Sequence, residues 1–217
     1  MSSNKDISDQ IADRIEGGDS AGVKEWIEKA IQENIFIAEI LNKGLVKGMS
    51  IVGAKFKNNE IYLPEVMISA RAMKVGMDII KPLLAAAKIK SKGKIVIGTV
   101  KGDIHDIGKN LVGMMLEGAG FEILDLGIDV SHDKFVNTVK NEKPDVIAMS
   151  ALLTTTMMNM KEVILALEDA GIRKNIKIII GGSPISHTFA KQIGADSYAP
   201  DAASAVDAVV DLLNCKN

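Results

Sequence analysis

From about residue 94 the chain switches between two hydrophobic periods, and this alternation limits the possible fold more than any other feature. Short β-branched runs stand at Lys94–Val100 (KIVIGTV), Phe121–Leu126, Asp145–Ser150, Ile176–Ile180 and Asp196–Ala199. Helical stretches separate them at about Gly108–Ala119, Asp133–Asn141, Met157–Ala170 and Ile185–Ile193, and a last helix covers Ala202–Leu213. Strands that alternate with helices imply right-handed crossovers and a parallel sheet covered on both faces. Five such units in about 120 residues predict an α/β, flavodoxin-like (Rossmann-like) doubly wound sheet with strand order 2-1-3-4-5.

The preceding residues carry only the helical period. Ile7, Ile11 and Ile15 recur every four residues until Gly17-Gly18 breaks the run. Asp19-Ser20 can cap a second helix bearing Val23, Trp26, Ile27, Ala30 and Ile31. A third is expected from about Asn34 to Phe56, and a fourth, with Pro64 in its first turn, to about Ala87. Four helices with short connections predict a small all-α bundle. Lys88–Lys94 (KIKSKGK) is basic and without apolar periodicity, so it reads as a linker. The expected organisation is a four-helix bundle over 1–87, a linker over 88–94 and the sheet domain over 95–217.

Composition narrows the function classes. With 26 basic and 28 acidic side chains the net charge is -2, which gives no reason to expect a nucleic acid or an anionic membrane as partner. The single cysteine, Cys215, excludes an internal disulfide and a multi-cysteine zinc site. The first residues, MSSNKDISDQ, lack the apolar run of a signal peptide, and no stretch approaches the ~18 apolar residues of a membrane span. The expectation is a soluble, cytoplasmic protein.

Doubly wound sheets bind ligands beyond the carboxyl ends of their strands. The loop after the first strand, Lys101-Gly102-Asp103-Ile104-His105-Asp106-Ile107-Gly108, does not fit a phosphate cradle. Gly102 and Gly108 are separated by five residues rather than four, and Lys109 is followed by Asn110. A phospho-receiver would need an aspartate at the end of strand three, where Ser150 stands. What remains is Asp103-x-His105-x-x-Gly108. An imidazole two residues from a carboxylate can point one nitrogen at a metal while the carboxylate holds the other N–H. One histidine cannot build a zinc or non-haem iron cage, but a single axial histidine suits a macrocycle that brings its own ligands.

The string VKGDIHDIGKN looks like the cobalamin signature D-x-H-x-x-G. It is followed by the S-x-L element Ser150-Ala151-Leu152 and the G-G element Gly181-Gly182 at the expected strand ends. With the N-terminal helices, the chain resembles the corrinoid proteins of anaerobic methyltransferase systems that serve methylamines, methanol, quaternary amines or methoxyaromatics. It is also similar to the cobalamin-binding module of cobalamin-dependent methionine synthase. The resemblance implies cobalamin (vitamin B12, in its methylcobalamin form) bound base-off, with His105 as lower axial ligand of cobalt and Asp103 hydrogen-bonded to His105. Thr156 matches the hydroxyl that closes this relay, where the family often carries serine. Ser150, Leu152 and Thr154 would line the slot for the displaced nucleotide tail, Gly181 and Gly182 would let backbone approach that tail, and Gly108 would remove bulk where the loop enters its helix. The helical bundle would cap the methyl-bearing face, with Tyr62, Met67 and Met73 as contacts and 88–94 as hinge.

A His–Asp–hydroxyl chain that gains a proton as cobalt loses its methyl group would couple ligand release to proton uptake. The implied role is a non-catalytic methyl carrier of one-carbon metabolism. A substrate-specific methyltransferase would load it, a second methyltransferase would unload it to a thiol or folate-type acceptor, and a reductive activase would rescue Co(II). A mutase small subunit would share D-x-H-x-x-G but usually lack the preceding helices. A cobalamin-sensing regulator would add a DNA-binding domain. Plainer readings stay open for each residue: His105 as an ordinary loop histidine, Asp103 as a turn cap, the hydroxyls at 154–156 as a helix cap, and Gly181-Gly182 as a tight turn.

Overall fold

A computed structural model of the chain describes residues 6–87, 89 and 91–214. Lys88 and Lys90 of the expected linker, and Cys215, lie outside the described residues. The chain divides into two compact units at Lys92/Gly93, with Glu117–Gly120 grouped with the first.

The first unit is helical: α1 (Ile7–Glu16), α2 (Ser20–Gln32), α3 (Ile37–Glu39), α4 (Lys47–Lys57) and α5 (Leu63–Ala86). Asp19 caps α2 as expected, its carboxylate accepting the Gly22 N–H at 2.9 Å. Ile11, Ile15, Ile27, Ile40, Leu45 and Ile80 are fully buried at its centre. Two details differ from the sequence expectation. Asn34 adopts φ 59° and ends α2 instead of opening the next helix, a left-handed role that asparagine tolerates. The expected third helix is continuous from α3 to α4, but its turns widen to π geometry over Ile40–Val46. There Gly44 faces α1, where a Cβ would come within 3.0 Å of Ile11. Apolar spacing averaged along a helix does not register one widened segment.

Among the expected cap contacts, Tyr62 and Met67 are exposed, whereas Met73 is buried in this unit's own core. Met73 is therefore packing, as methionine at helical spacing often is.

The second unit contains β1 (Lys94–Thr99), α6 (Ile107–Gly118), β2 (Glu122–Asp125), α7 (His132–Glu142), β3 (Val146–Ser150), α8 (Asn159–Asp169), β4 (Lys177–Gly181), α9 (His187–Ile193), β5 (Ser197–Ala199) and α10 (Ala202–Asn214). Its five strands run in the order β2-β1-β3-β4-β5, and every pairing is parallel. Register aligns Thr99 with Ser150, Ser150 with Gly181 and Gly181 with Ala199. These four residues therefore mark the carboxyl edge of four adjacent strands. On one face Phe135, Ile147, Met160, Ile164, Ile178 and Ile180 form an apolar core. Gly98 is needed in β1 because a Cβ would lie 2.9 Å from the Phe135 ring. Among the described residues no helix is long and apolar enough to cross a membrane.

Candidate functional site

Asp103 stands in the loop between β1 and α6 with a relative exposure of 0%. A buried carboxylate must be heavily hydrogen-bonded to persist, and this one is. Its Oδ1 accepts the ring Nδ1 of His105 at 2.7 Å and the His105 backbone N–H at 3.1 Å. Its Oδ2 accepts the Thr156 hydroxyl at 2.7 Å and the N–H groups of Leu152 at 2.8 Å and Leu153 at 3.3 Å. Burial pushes the Asp103 carboxyl upward. The hydrogen bonds from Thr156, the His105 ring, and the Leu152 and His105 backbones outweigh that, and they hold it well below the usual carboxylate range.

An ionised carboxylate only accepts, so the proton of a neutral His105 ring lies on Nδ1. Nε2 is then left with its lone pair outward. It has no hydrogen-bond partner among the described residues, and the side chain is 46% exposed. Backbone is held as firmly as ring: the hydroxyl of Thr99, itself buried, donates to the His105 carbonyl at 2.8 Å.

The rim of this imidazole is apolar. Ile104 and Ile107 are each 70% exposed, and Leu152 and Leu153 are also exposed. Gly108 faces open space, since a Cβ there would meet nothing within 4 Å. Exposed isoleucines beside an unpartnered ring nitrogen gain nothing from water. Among the described residues there is no group of three or more His, Cys, Asp or Glu side chains that could hold a metal ion. A metal centre here would have to bring its remaining ligands with it.

Of the residues singled out from the sequence, Asp103, His105 and Thr156 converge in one hydrogen-bonded chain. Leu152 joins them through its backbone N–H. Ser150, Gly181 and Gly182 lie along the carboxyl edge at β3 and β4, while Thr154 is exposed without entering the chain. Gly182 also has a reason to be glycine within the fold itself. Its φ is 133°, and a Cβ would drive into the Ala151 carbonyl, so glycine is demanded here by the protein's own backbone. Likewise a Cβ at Gly181 would lie 3.0 Å from the Ala199 carbonyl oxygen.

Sequence reasoning missed two polar residues here. Thr99 carried no motif signal. Lys109 entered only as a failed phosphate-loop lysine, yet its side chain is buried, ion-paired with Asp125 and donating to the side-chain Oδ1 of Asn110 at 2.6 Å. It ties the first turn of α6 to the end of β2. A lysine directly after D-x-H-x-x-G, with an aspartate closing the next strand, was the available clue.

An edge of this kind, presenting one tethered histidine from a doubly wound sheet, defines a macrocycle-binding module. Comparison with known proteins agrees. The B12 binding domain matches residues 93–210, and a second B12 binding domain model matches residues 7–81. A corrinoid protein of Desulfitobacterium hafniense is 44% identical over 93% of this chain and 94% of its own length. A trimethylamine corrinoid protein of Methanosarcina acetivorans is 42% identical over 96% of this chain and 98% of its own length. Among solved structures, the methanol:cobalamin methyltransferase complex of Methanosarcina barkeri superposes with a TM-score of 0.88 at 32% identity, covering 98% of this chain and 81% of that one. The chain belongs to the family of corrinoid proteins built on the B12 binding domain.

Proposed function

We propose that this protein is a cytoplasmic methyl carrier that holds cobalamin base-off, with His105 Nε2 as the lower axial ligand of cobalt. It receives a methyl group from a substrate-specific methyltransferase and yields it to a second methyltransferase acting on a thiol or folate-type acceptor. A reductive activase returns oxidised carrier to service. The observation that carries this reading is the His105 ring, with Nδ1 fixed by a buried carboxylate and Nε2 outward and unpartnered. Full-length similarity to corrinoid proteins of amine systems, spanning both halves of the chain, supports a carrier over a mutase subunit or a regulator.

Cobalamin fits the residues present: one nitrogen donor, an open apolar rim and a glycine with free space above it. When bound, it supplies the cobalt that takes up and releases the methyl group. The rest is the work of the chain. Asp103 fixes the tautomer and orientation of His105, so that Nε2 would offer its lone pair to the cobalt. Thr156, by donating to the same carboxylate, steadies its negative charge. The 2.7 Å bond from Nδ1 to Asp103 would hold the ring in place whether or not Nε2 is engaged by the metal. Ser150, Leu152, Thr154, Gly181 and Gly182 are assigned to the slot for the nucleotide tail. Residues 1–87 are assigned to the cap, 88–94 to the linker and 95–217 to the cobalamin-binding domain.

The test is a visible spectrum of protein reconstituted with cobalamin, wild type beside His105→Ala. A base-off, histidine-ligated spectrum in the wild type that the substitution abolishes is the expected result. Failure of the wild type to bind cobalamin would overturn the proposal.

A further inference from the structure

Asp129 grips the loop that carries Asp103 and His105, although it belongs to neither the motif nor the hydrogen-bonded chain around it. It lies between β2 and α7. Its carboxylate Oδ1 accepts the Gly102 N–H at 2.7 Å, and its own N–H donates to the Asp103 carbonyl at 3.0 Å. One residue thus holds the Gly102-Asp103 pair at both ends, by the N–H of the first and the carbonyl of the second.

Its backbone makes the arrangement conspicuous. Asp129 has φ 51°, a conformation that a non-glycine residue adopts at a cost. Its side chain is exposed, so packing does not force that conformation. The two bonds to the neighbouring loop are what hold it. Gly102, at φ 80°, is the matching bend on the other side. Around the clamp, Val130 N–H donates to the Thr99 carbonyl at 2.9 Å and Thr99 N–H to the Gly127 carbonyl at 3.0 Å. The β2–α7 loop is therefore laced to the end of β1 where the Asp103 loop begins.

We infer that Asp129 is a positioning residue for the cobalt ligand: by clamping Gly102 and Asp103 it fixes where the Asp103 carboxylate, and through it His105, can stand. The inference rests on the reading of His105 as the axial ligand, but its geometry is testable without cofactor. Asparagine at 129 retains an acceptor oxygen and tolerates φ > 0, while glycine accepts the backbone conformation freely and removes the acceptor.

The experiment uses nitrogen-15-labelled full-length protein without cobalamin. Solvent exchange of the Gly102 amide and of the His105 Nδ1 proton is followed by NMR in wild type, Asp129→Asn and Asp129→Gly, with thermal unfolding measured alongside. In Asp129→Gly the Gly102 amide should exchange about tenfold faster, the factor one ordinary hydrogen bond is worth. The His105 Nδ1 proton should also exchange faster, with unfolding unchanged. Asp129→Asn should restore wild-type exchange at both sites. Wild-type exchange in Asp129→Gly would overturn the inference, as would an Asp129→Asn variant disturbed to the same degree. Failure of the wild type to bind cobalamin would instead strike the function itself, and the two failures are told apart because the exchange data are taken without cofactor.

Discussion

The two units of this protein place their polar groups differently. Among the described residues, the buried polar side chains of the helical unit are Ser8 and Ser69, while its ionic contacts, such as Lys47 with Asp9 and Lys55 with Glu16, lie at the surface. The sheet unit buries Thr99, Asp103, Lys109 and Thr156, two of them charged. All four sit at or beyond the carboxyl ends of the first strands or in the loop and helix that follow. Burying a charge is costly unless it is fully bonded, so a fold does so only where something is gained. The helical unit is organised by apolar packing, the sheet unit by apolar packing plus one polar focus at its edge.

That contrast can be broken in a graded way. The largest effect should come from the core that carries the edge. Phe135→Ala, at a fully buried ring, should cost about 3–5 kcal/mol by denaturant unfolding. Next is the focus itself. Asp103→Asn replaces an acceptor with an amide that cannot accept from Thr156, Leu152 and Leu153 as well as from His105, and should cost about 2–3 kcal/mol at pH 7. The sign with pH is fixed. The carboxyl is held below its unfolded value of about 3.9, so its stabilisation is full above that pH and fades as pH falls towards the depressed folded value. The gap between wild type and Asp103→Asn should therefore narrow below about pH 4. A gap that stayed constant into acid would show that the charge contributes nothing.

Thr156→Ala removes one donor to the carboxylate and should cost about 1–2 kcal/mol, while Thr156→Ser keeps the donor and should cost under about 1 kcal/mol. Thermal unfolding of the pair separates hydroxyl from methyl. At the bottom of the scale, Lys47→Ala removes an exposed ion pair of the helical unit and should change stability by no more than about 0.5 kcal/mol.

Much of this architecture could be read from the order of residues. The five β-branched runs became five strands whose ends moved by no more than one residue, because a parallel sheet covered on both faces needs short, continuously apolar runs. Asp103, His105 and Thr156 could be named because their spacing matched a known motif. The legible part ended where tertiary placement begins. The Leu152 and Leu153 N–H groups reach Asp103 from 49 and 50 residues away, and no local pattern specifies that meeting. Asp129 was invisible for the same reason: its partners, Gly102 and Asp103, lie across the sheet edge in another loop. Gly182 could be noticed from the motif, but its clash with the Ala151 carbonyl at the neighbouring strand end could not be read from local sequence. The widened turns of Ile40–Val46 escaped because apolar spacing averages over them.

Whether His105 Nε2 is the nitrogen bound to cobalt is read directly by electron paramagnetic resonance of the Co(II) state. Protein grown with nitrogen-15 histidine and loaded with unlabelled cobalamin should show doublet superhyperfine splitting where unlabelled protein shows triplets, and His105→Ala should lose the effect. Triplets unchanged by the label would mean that the axial nitrogen comes from the cofactor's own base and that His105 is not the ligand.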